Sequence, residues 1–224
     1  MNLLFDLDDT LYPEKQYIFQ GFWAVSNYIG DKYKIDKNNL YIKLVSIFKN
    51  GSLKIFDDII FDLNLNDSPL TLMDIYRKSP RKLVYYNEVE DALKYLKKEE
   101  HTLILMTNGD SDTQWRKIRI LKTKGLFDEI YVLDDFGKEF WKPSTLILDK
   151  IYNVYGNNES ENYMIIGNGY EDLEFARNAH IEFVFIDREN AVRKINYFDE
   201  ENDLIRIKDL FQFVDLIGGK RSEK

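Results

Sequence analysis

The chain has 224 residues, 44% of them hydrophobic and 31% charged, a length that suits one large domain or a domain with a sizeable insertion. Its formal net charge of -8 argues against a general nucleic-acid surface, which needs clustered basic charge. A small phosphorylated ligand stays possible, because one metal and a few local cations reverse the sign of a site. The absence of cysteine removes disulfides, thiolate catalysis and cysteine zinc sites.

The first element is Leu3-Leu4-Phe5, a continuous apolar run that reads as a short strand covered on both faces. Asp6, Asp8 and Asp9 follow at once, so the run does not read as a signal peptide. No stretch approaches the ~18 consecutive apolar residues of a membrane span. The expected location is cytoplasmic, with no membrane partner, and the sequons at Asn66 and Asn158 are discounted accordingly.

Tyr12-Pro13 breaks the pattern. Helical spacing then runs from Glu14 to about Tyr33, with Phe19, Phe22 and Trp23 read as core. A second helix is expected over Leu40–Phe48, capped by Asn38 or Asn39, a third over Leu53–Leu63 and a fourth over Leu72–Lys78. Residues 13–82 thus hold helices and no clear strand.

Helix and strand alternate from there. Helices are expected over 87–98, 113–124 (ending on Gly125), 145–155, 173–179 and 209–217. Apolar strands are expected at 103–106, 130–133, 163–166, 183–186 and 204–207, and the polar tail from Gly218 is read as loose. This alternation predicts an α/β fold: a doubly wound, Rossmann-like parallel sheet, interrupted by an all-helical insertion. The expected division is 1–12 with 83–224 as the core and 13–82 as the insertion.

Ligands of such sheets bind beyond the C-terminal strand ends. Four strand ends carry polar residues: Asp6 and Asp8 after the first, Thr107-Asn108 after the second, Lys142 in the loop after the third, and Asn168, with Asp172 one turn on, after the fourth. Carboxylates crowded at Asp6, Asp8 and Asp9 raise one another's pKa unless a cation neutralises them. The cluster therefore calls for a metal, a catalytic role or both, against the alternative of a solvated acidic turn.

These motifs, in this order, resemble the haloacid dehalogenase superfamily, most of whose members are magnesium-dependent phosphatases. The resemblance rests on Asp6-Leu7-Asp8-Asp9-Thr10-Leu11, Thr107-Asn108-Gly109, Lys142-Pro143 and Gly167-Asn168-Gly169-Tyr170-Glu171-Asp172, and covers nearly the whole chain. It implies a Rossmann-like core with a helical cap at 13–82. It also implies Asp6 as nucleophile and Asp8 as general acid and base. By the same resemblance Thr107 is expected to hold the phosphoryl group with support from Asn108, and Lys142 to offset the gathered negative charge. Magnesium is expected on Asp6, the Asp8 carbonyl, Asn168 and Asp172. Asn168 departs from the pattern, because the family usually places an aspartate there, and a neutral donor predicts weaker metal binding.

The expected activity is hydrolysis of a small phosphorylated metabolite, of the nucleotide or sugar phosphate class, with oligomeric state left open. A degenerate member that binds a phosphorylated ligand or a protein without turnover is the alternative. A dehalogenase is disfavoured by Asp8, and a phosphomutase has no specific support. Asp110 and Asp112 are read as helix caps, Asp134 and Asp135 as a solvated turn, Asp9 and Thr10 as structural, and His101 and His180 as capping or surface groups.

Overall fold

A computed structural model of the chain describes residues 1–156, 159–189, 191–192 and 204–221; Asn158 of the second sequon lies outside them. It contains two compact units, Met1–Glu14 with Leu83–Lys224, and Lys15–Lys82.

The smaller unit is all helical: α1 (Lys15–Tyr33), α2 (Lys37–Lys49), α3 (Ile55–Leu63) and α4 (Pro69–Lys78). Phe22, Val25 and Ile29 of α1 are buried with Leu40, Leu44, Phe56, Ile59 and Leu72, one apolar stripe from each helix. Tyr76 packs its ring against Tyr17, Phe22 and Phe56. Asp67 accepts hydrogen bonds from Tyr28, Lys32 and Tyr33, tying α1 to the turn before α4.

Several expectations fail in this unit: α3 starts at Ile55 rather than Leu53, and α4 starts at Pro69 rather than Leu72, capped by Ser68. Asp36, not Asn38 or Asn39, caps α2: its backbone is extended and its carboxylate accepts from Asn39 N at 2.8 Å, so the helix starts a turn early. Trp23 is not core but 43% exposed, with its ring against Tyr41.

The larger unit holds one six-stranded parallel sheet in the order β3-β2-β1-β4-β5-β6. Its strands are β1 (Asn2–Phe5), β2 (Thr102–Thr107), β3 (Glu129–Val132), β4 (Tyr163–Gly167), β5 (Glu182–Ile186) and β6 (Ile205–Ile207). Between and after them run α5 (Val89–Lys98), α6 (Ser111–Leu121), α7 (Ile147–Tyr155), α8 (Tyr170–Ala179) and α9 (Leu210–Arg221). The central strands are buried along their length, which is why they read as unbroken apolar runs rather than alternating ones.

Helix α6 stops at Lys122, which takes the left-handed conformation at φ 55°, and Gly125 closes a separate short turn. Asp110 caps α6 through Thr113 N at 3.1 Å, as expected, and His180 ends α8 in the left-handed conformation. The last helix continues past Gly218 to Arg221, where the tail was expected to be loose. Among the described residues no helix is long and apolar enough to cross a membrane.

The topology places the site. Strand β1 pairs in parallel with β2 on one side and β4 on the other, with Phe5 beside Leu105 and Ile166. The chain builds outward from β1 through β2 and β3, then crosses to β4, β5 and β6. The order therefore reverses beside β1, the position where sheets of this kind bind ligands.

Candidate active site

Asp6 is the first residue past β1, and its N–H still bonds to Ile166 O at 3.0 Å. The carboxylate is thereby fixed at the junction of β1 and β4. Lys142 reaches it from the loop after β3. Its ammonium donates to Asp6 Oδ1 at 2.7 Å, Asp172 Oδ1 at 2.5 Å and Met106 O at 3.1 Å, and the residue is 4% exposed. Those three bonds use every donor a lysine has.

The lysine is held from behind as well. Asn108 Oδ1 accepts from Lys142 N at 2.8 Å, and Asn108 Nδ2 donates to Lys142 O at 3.0 Å. Asp172 is also committed twice. Oδ1 takes Lys142, and Oδ2 accepts from Gly169 N at 3.0 Å at the start of α8. A Cβ on Gly167 would collide with this carboxylate, so glycine is required where Asp172 approaches the backbone.

One ammonium between two buried carboxylates leaves a net negative charge. Burial pushes the Asp6 carboxyl up, Lys142 opposes that, and Asp172 adds to it, with the result at about 7. Lys142 is driven the other way by burial, but its two carboxylate neighbours win and keep it firmly cationic.

Asp8 lies in a different nest. Lys117 Nζ bonds its two oxygens at 2.7 and 2.8 Å, Tyr12 Oη donates to Oδ1 at 2.5 Å, and Gln114 Nε2 donates to Oδ2 at 2.9 Å. Burial acts to raise this carboxyl, but attraction to Lys117 and the donated hydrogen bonds outweigh it and hold it below its usual value. The same amide nitrogen of Gln114 donates to Thr107 Oγ1 at 2.7 Å. Tyr12, buried beside Asp8, keeps its phenol proton well beyond the ordinary range, through burial and the neighbouring carboxylate.

Of the seven residues singled out from the sequence, six lie at the ends of β1, β2 and β4 or in the loop after β3, and Asp172 lies in the first turn of α8. Asp6, Lys142, Asp172 and Asn108 form one connected network, and Asp8 and Thr107 a second. Asn168 follows β4 directly and is half-buried. Lys117 and Gln114 were missed. Their signal was present: three apart on α6, they share the face of Leu121, so two polar residues stand on an apolar stripe.

The remaining acidic residues are structural. Asp9 accepts from Glu14 N at 2.8 Å and Val192 N at 2.7 Å. Asp134 accepts from Ser111 N and Trp141 Nε1, and Asp135 from Ser111 Oγ and Trp115 Nε1, which pins the start of α6 to the end of β3. Arg188 donates to Thr10 O at 2.8 Å and pairs with Glu88 at 2.6 Å, fixing the loop beyond Asp9.

Among the described residues no three His, Cys, Asp or Glu side chains cluster to hold a metal. The residues that the resemblance assigns to magnesium offer donors of another kind: a carboxylate of Asp6, the carbonyl of Asp8 and the side-chain amide of Asn168. All are hard oxygens, the set that magnesium prefers. The Asp6 carboxyl, raised by burial and further by Asp172 against the pull of Lys142, also fits a cation there, which would favour its ionised form.

A family model described as haloacid dehalogenase-like hydrolase matches residues 3–186. The chain belongs to that family. It is accordingly an enzyme of the hydrolase class. Among curated relatives it is similar to glyceraldehyde 3-phosphate phosphatase of Pyrococcus furiosus, at 26% identity over 82% of this chain and 79% of the relative. The enzyme of the same name from Pyrococcus abyssi is 25% identical over the same shares. Of solved structures, a putative β-phosphoglucomutase from Thermotoga maritima aligns with a TM-score of 0.72, at 16% identity over 97% of this hydrolase and 98% of that chain. The putative HAD-hydrolase YfnB from Bacillus subtilis, bound to magnesium, aligns with a TM-score of 0.67, at 19% identity over 96% and 97% of the two chains.

Proposed function

We propose that this hydrolase is a magnesium-dependent phosphatase that cleaves a small phosphomonoester through an aspartyl-phosphate. The observation that carries the reading is the Lys142 ammonium bridging Asp6 and Asp172, with Asp8 two residues beyond Asp6 and Thr107 at the neighbouring strand end. Phosphoryl transfer depends mainly on positioning and charge, and these groups supply both.

In this reading an Asp6 oxygen attacks phosphorus, the ester P–O bond breaks, and Asp8, having taken a proton from the arriving phosphomonoester monoanion, gives it to the departing oxygen. Asp8 then takes a proton from water as that water attacks phosphorus and frees Asp6. Thr107 donates its hydroxyl proton to a phosphoryl oxygen, and Lys142 balances the negative charge that collects on Asp6. Asp6, the Asp8 carbonyl and Asn168 are the residues proposed to hold magnesium, which supplies positive charge to the phosphoryl oxygens. We assign Asp172 to Lys142 and to the start of α8 rather than to the metal, because both of its oxygens are engaged there.

The helical block Lys15–Lys82 is assigned the cap role that the resemblance implies. The names of the curated relatives favour a sugar phosphate over a nucleotide as the substrate. Phosphate release from glyceraldehyde 3-phosphate and p-nitrophenyl phosphate tests the reading. Release that needs magnesium and disappears in Asp6→Asn supports it. No release with any divalent metal overturns it in favour of a ligand-binding protein without turnover.

A further inference from the structure

We propose that Lys117 and Gln114 are positioning residues: Lys117 fixes the Asp8 carboxyl against the leaving group, and Gln114 sets Asp8 and Thr107 at the same time. The inference rests on the reading of Asp8 as acid and base given above.

Both side chains come from α6 and are almost fully enclosed, Lys117 at 4% exposed and Gln114 at 2%. A buried lysine loses rotamer freedom and hydration, and a buried glutamine must satisfy its amide, so neither is there cheaply. Both aim at Asp8. A carboxylate offers about four lone-pair directions. Here Lys117 takes one on each oxygen, Tyr12 one on Oδ1 and Gln114 one on Oδ2. Oδ1 is anchored by its two shortest contacts, at 2.5 and 2.7 Å. Oδ2 carries the longest, the 2.9 Å contact from Gln114. That amide is shared with Thr107, so Oδ2 is the oxygen that opens when the amide leans towards Thr107. With Gln114 turned to Thr107, Oδ2 takes a proton from the arriving phosphomonoester monoanion, passes it to the leaving oxygen as the P–O bond breaks, and regains one from the attacking water.

The second bond of Gln114 orients Thr107. A hydroxyl has a single proton to donate, and Oγ1 already accepts from Gln114 at 2.7 Å. Its proton must therefore point elsewhere: Oγ1 donates to the carbonyl of Asn108 at 3.3 Å, a weak contact that a phosphoryl oxygen can replace. One amide thus presets an acceptor on one side of the reaction and a donor on the other. Gly109 sits against the same glutamine, where a Cβ would lie 3.1 Å from its side chain.

The test compares two leaving groups. An aliphatic ester such as glyceraldehyde 3-phosphate needs its departing oxygen protonated, whereas nitrophenolate leaves without help. In Lys117→Met, kcat/KM for the aliphatic ester is expected to fall about tenfold or more beyond any fall for p-nitrophenyl phosphate, with KM unchanged. In Gln114→Met the same selective loss is expected together with a raised KM for both substrates, because Thr107 loses its orientation. Equal losses for both esters in both variants overturn the proposal and leave the pair a packing role. If Lys117→Met gives no cooperative melt, Tyr12→Phe carries the test. It removes one anchor on Oδ1 and keeps the ring, and its expected selective loss is about threefold, within the range for one hydrogen bond. Equal losses there overturn the proposal. Asp8→Asn separates the two levels. Selective loss in Asp8→Asn without it in the other variants overturns the positioning role alone; no selective loss in Asp8→Asn overturns the reading of Asp8, and the proposal with it.

Discussion

The side-chain amide of Asn108 grips the peptide of Lys142 from both sides, accepting from its N–H at 2.8 Å and donating to its carbonyl at 3.0 Å. An amide matches a peptide in this way because it carries one acceptor and one donor group. Asn108→Asp keeps the acceptor and loses the donor, leaving the Lys142 carbonyl unpaired and bringing a further negative charge towards Asp6. The expected result is a loss of about 1–3 kcal/mol of stability. A fall in kcat on the order of tenfold or more is expected with it, because a small displacement of a catalytic group is costly. Thermal melts and steady-state kinetics on p-nitrophenyl phosphate measure both, and unchanged kcat removes Asn108 from any role in placing the lysine.

The proposed magnesium site links metal binding to pH through Asp6. Its carboxyl is raised by burial from 3.8 to about 7, so the folded, metal-free protein keeps a proton that the unfolded chain releases. The contribution of Asp6 to stability is therefore greatest below the unfolded value and is lost as pH rises towards about 7. Magnesium held as proposed would bind the ionised form and compete with that proton. Thermal midpoints with and without magnesium should then differ more at roughly pH 8 than at roughly pH 5.5, because the ligand is available only when Asp6 is ionised. An equal metal-induced shift at both values removes Asp6 from the metal site.

Most of the sheet was legible because its strands are buried on both faces, and unbroken apolar runs as short as Leu3–Phe5 and Met164–Ile166 suit a covered strand better than a helix. Asp6, Asp8, Thr107, Asn108 and Asn168 were legible as candidates because they lie at or just past the ends of those runs, whereas Lys142 and Asp172 lie further along the chain. Helix ends were harder: Lys122 adopts the left-handed conformation that the sequence assigns to Gly125. Side-chain partners were harder still. Nothing local to Asp172 indicates that it faces Lys142 rather than a cation, since the two residues are brought together by the crossing from β3 to β4. Likewise Lys117 meets Asp8 across 109 positions of chain, and only its place on an apolar stripe hinted at burial.

Gly167 has no φ that demands glycine, yet the Asp172 carboxylate occupies the space a methyl would need. Gly167→Ala must therefore push Asp172 away from Gly169 N, from Lys142, or from both. Overpacking of this sort typically costs about 1–3 kcal/mol. If the displaced group is the Lys142 contact, Lys142 pairs with Asp6 alone, and the influence of Asp172 that helps to raise Asp6 weakens. The expected signature is a lower melting temperature together with an activity profile moved to lower pH. A variant as stable as the parent, with an unshifted profile, shows that the carboxylate moves without consequence.

Asn168 leads directly out of β4 and, in the proposed metal site, would bring an oxygen without a charge. In the metal-free site Lys142 already balances one of its two carboxylate neighbours, so only one negative charge is left to attract a cation. Magnesium affinity depends on ligand charge as well as on geometry. Asn168→Asp adds a second uncompensated charge while changing only one atom of the side chain. The magnesium concentration for half-maximal activity is expected to fall about tenfold, a gain of about 1.4 kcal/mol in binding. The same charge costs stability when the metal is withheld, because carboxylates crowded at one site repel one another. The variant should therefore melt below the parent in a chelator and above it in saturating magnesium. That crossing is the decisive readout, since a side chain remote from the metal has no means of producing it. Parallel melting curves for the two proteins, with the same magnesium dependence of activity, place the metal elsewhere.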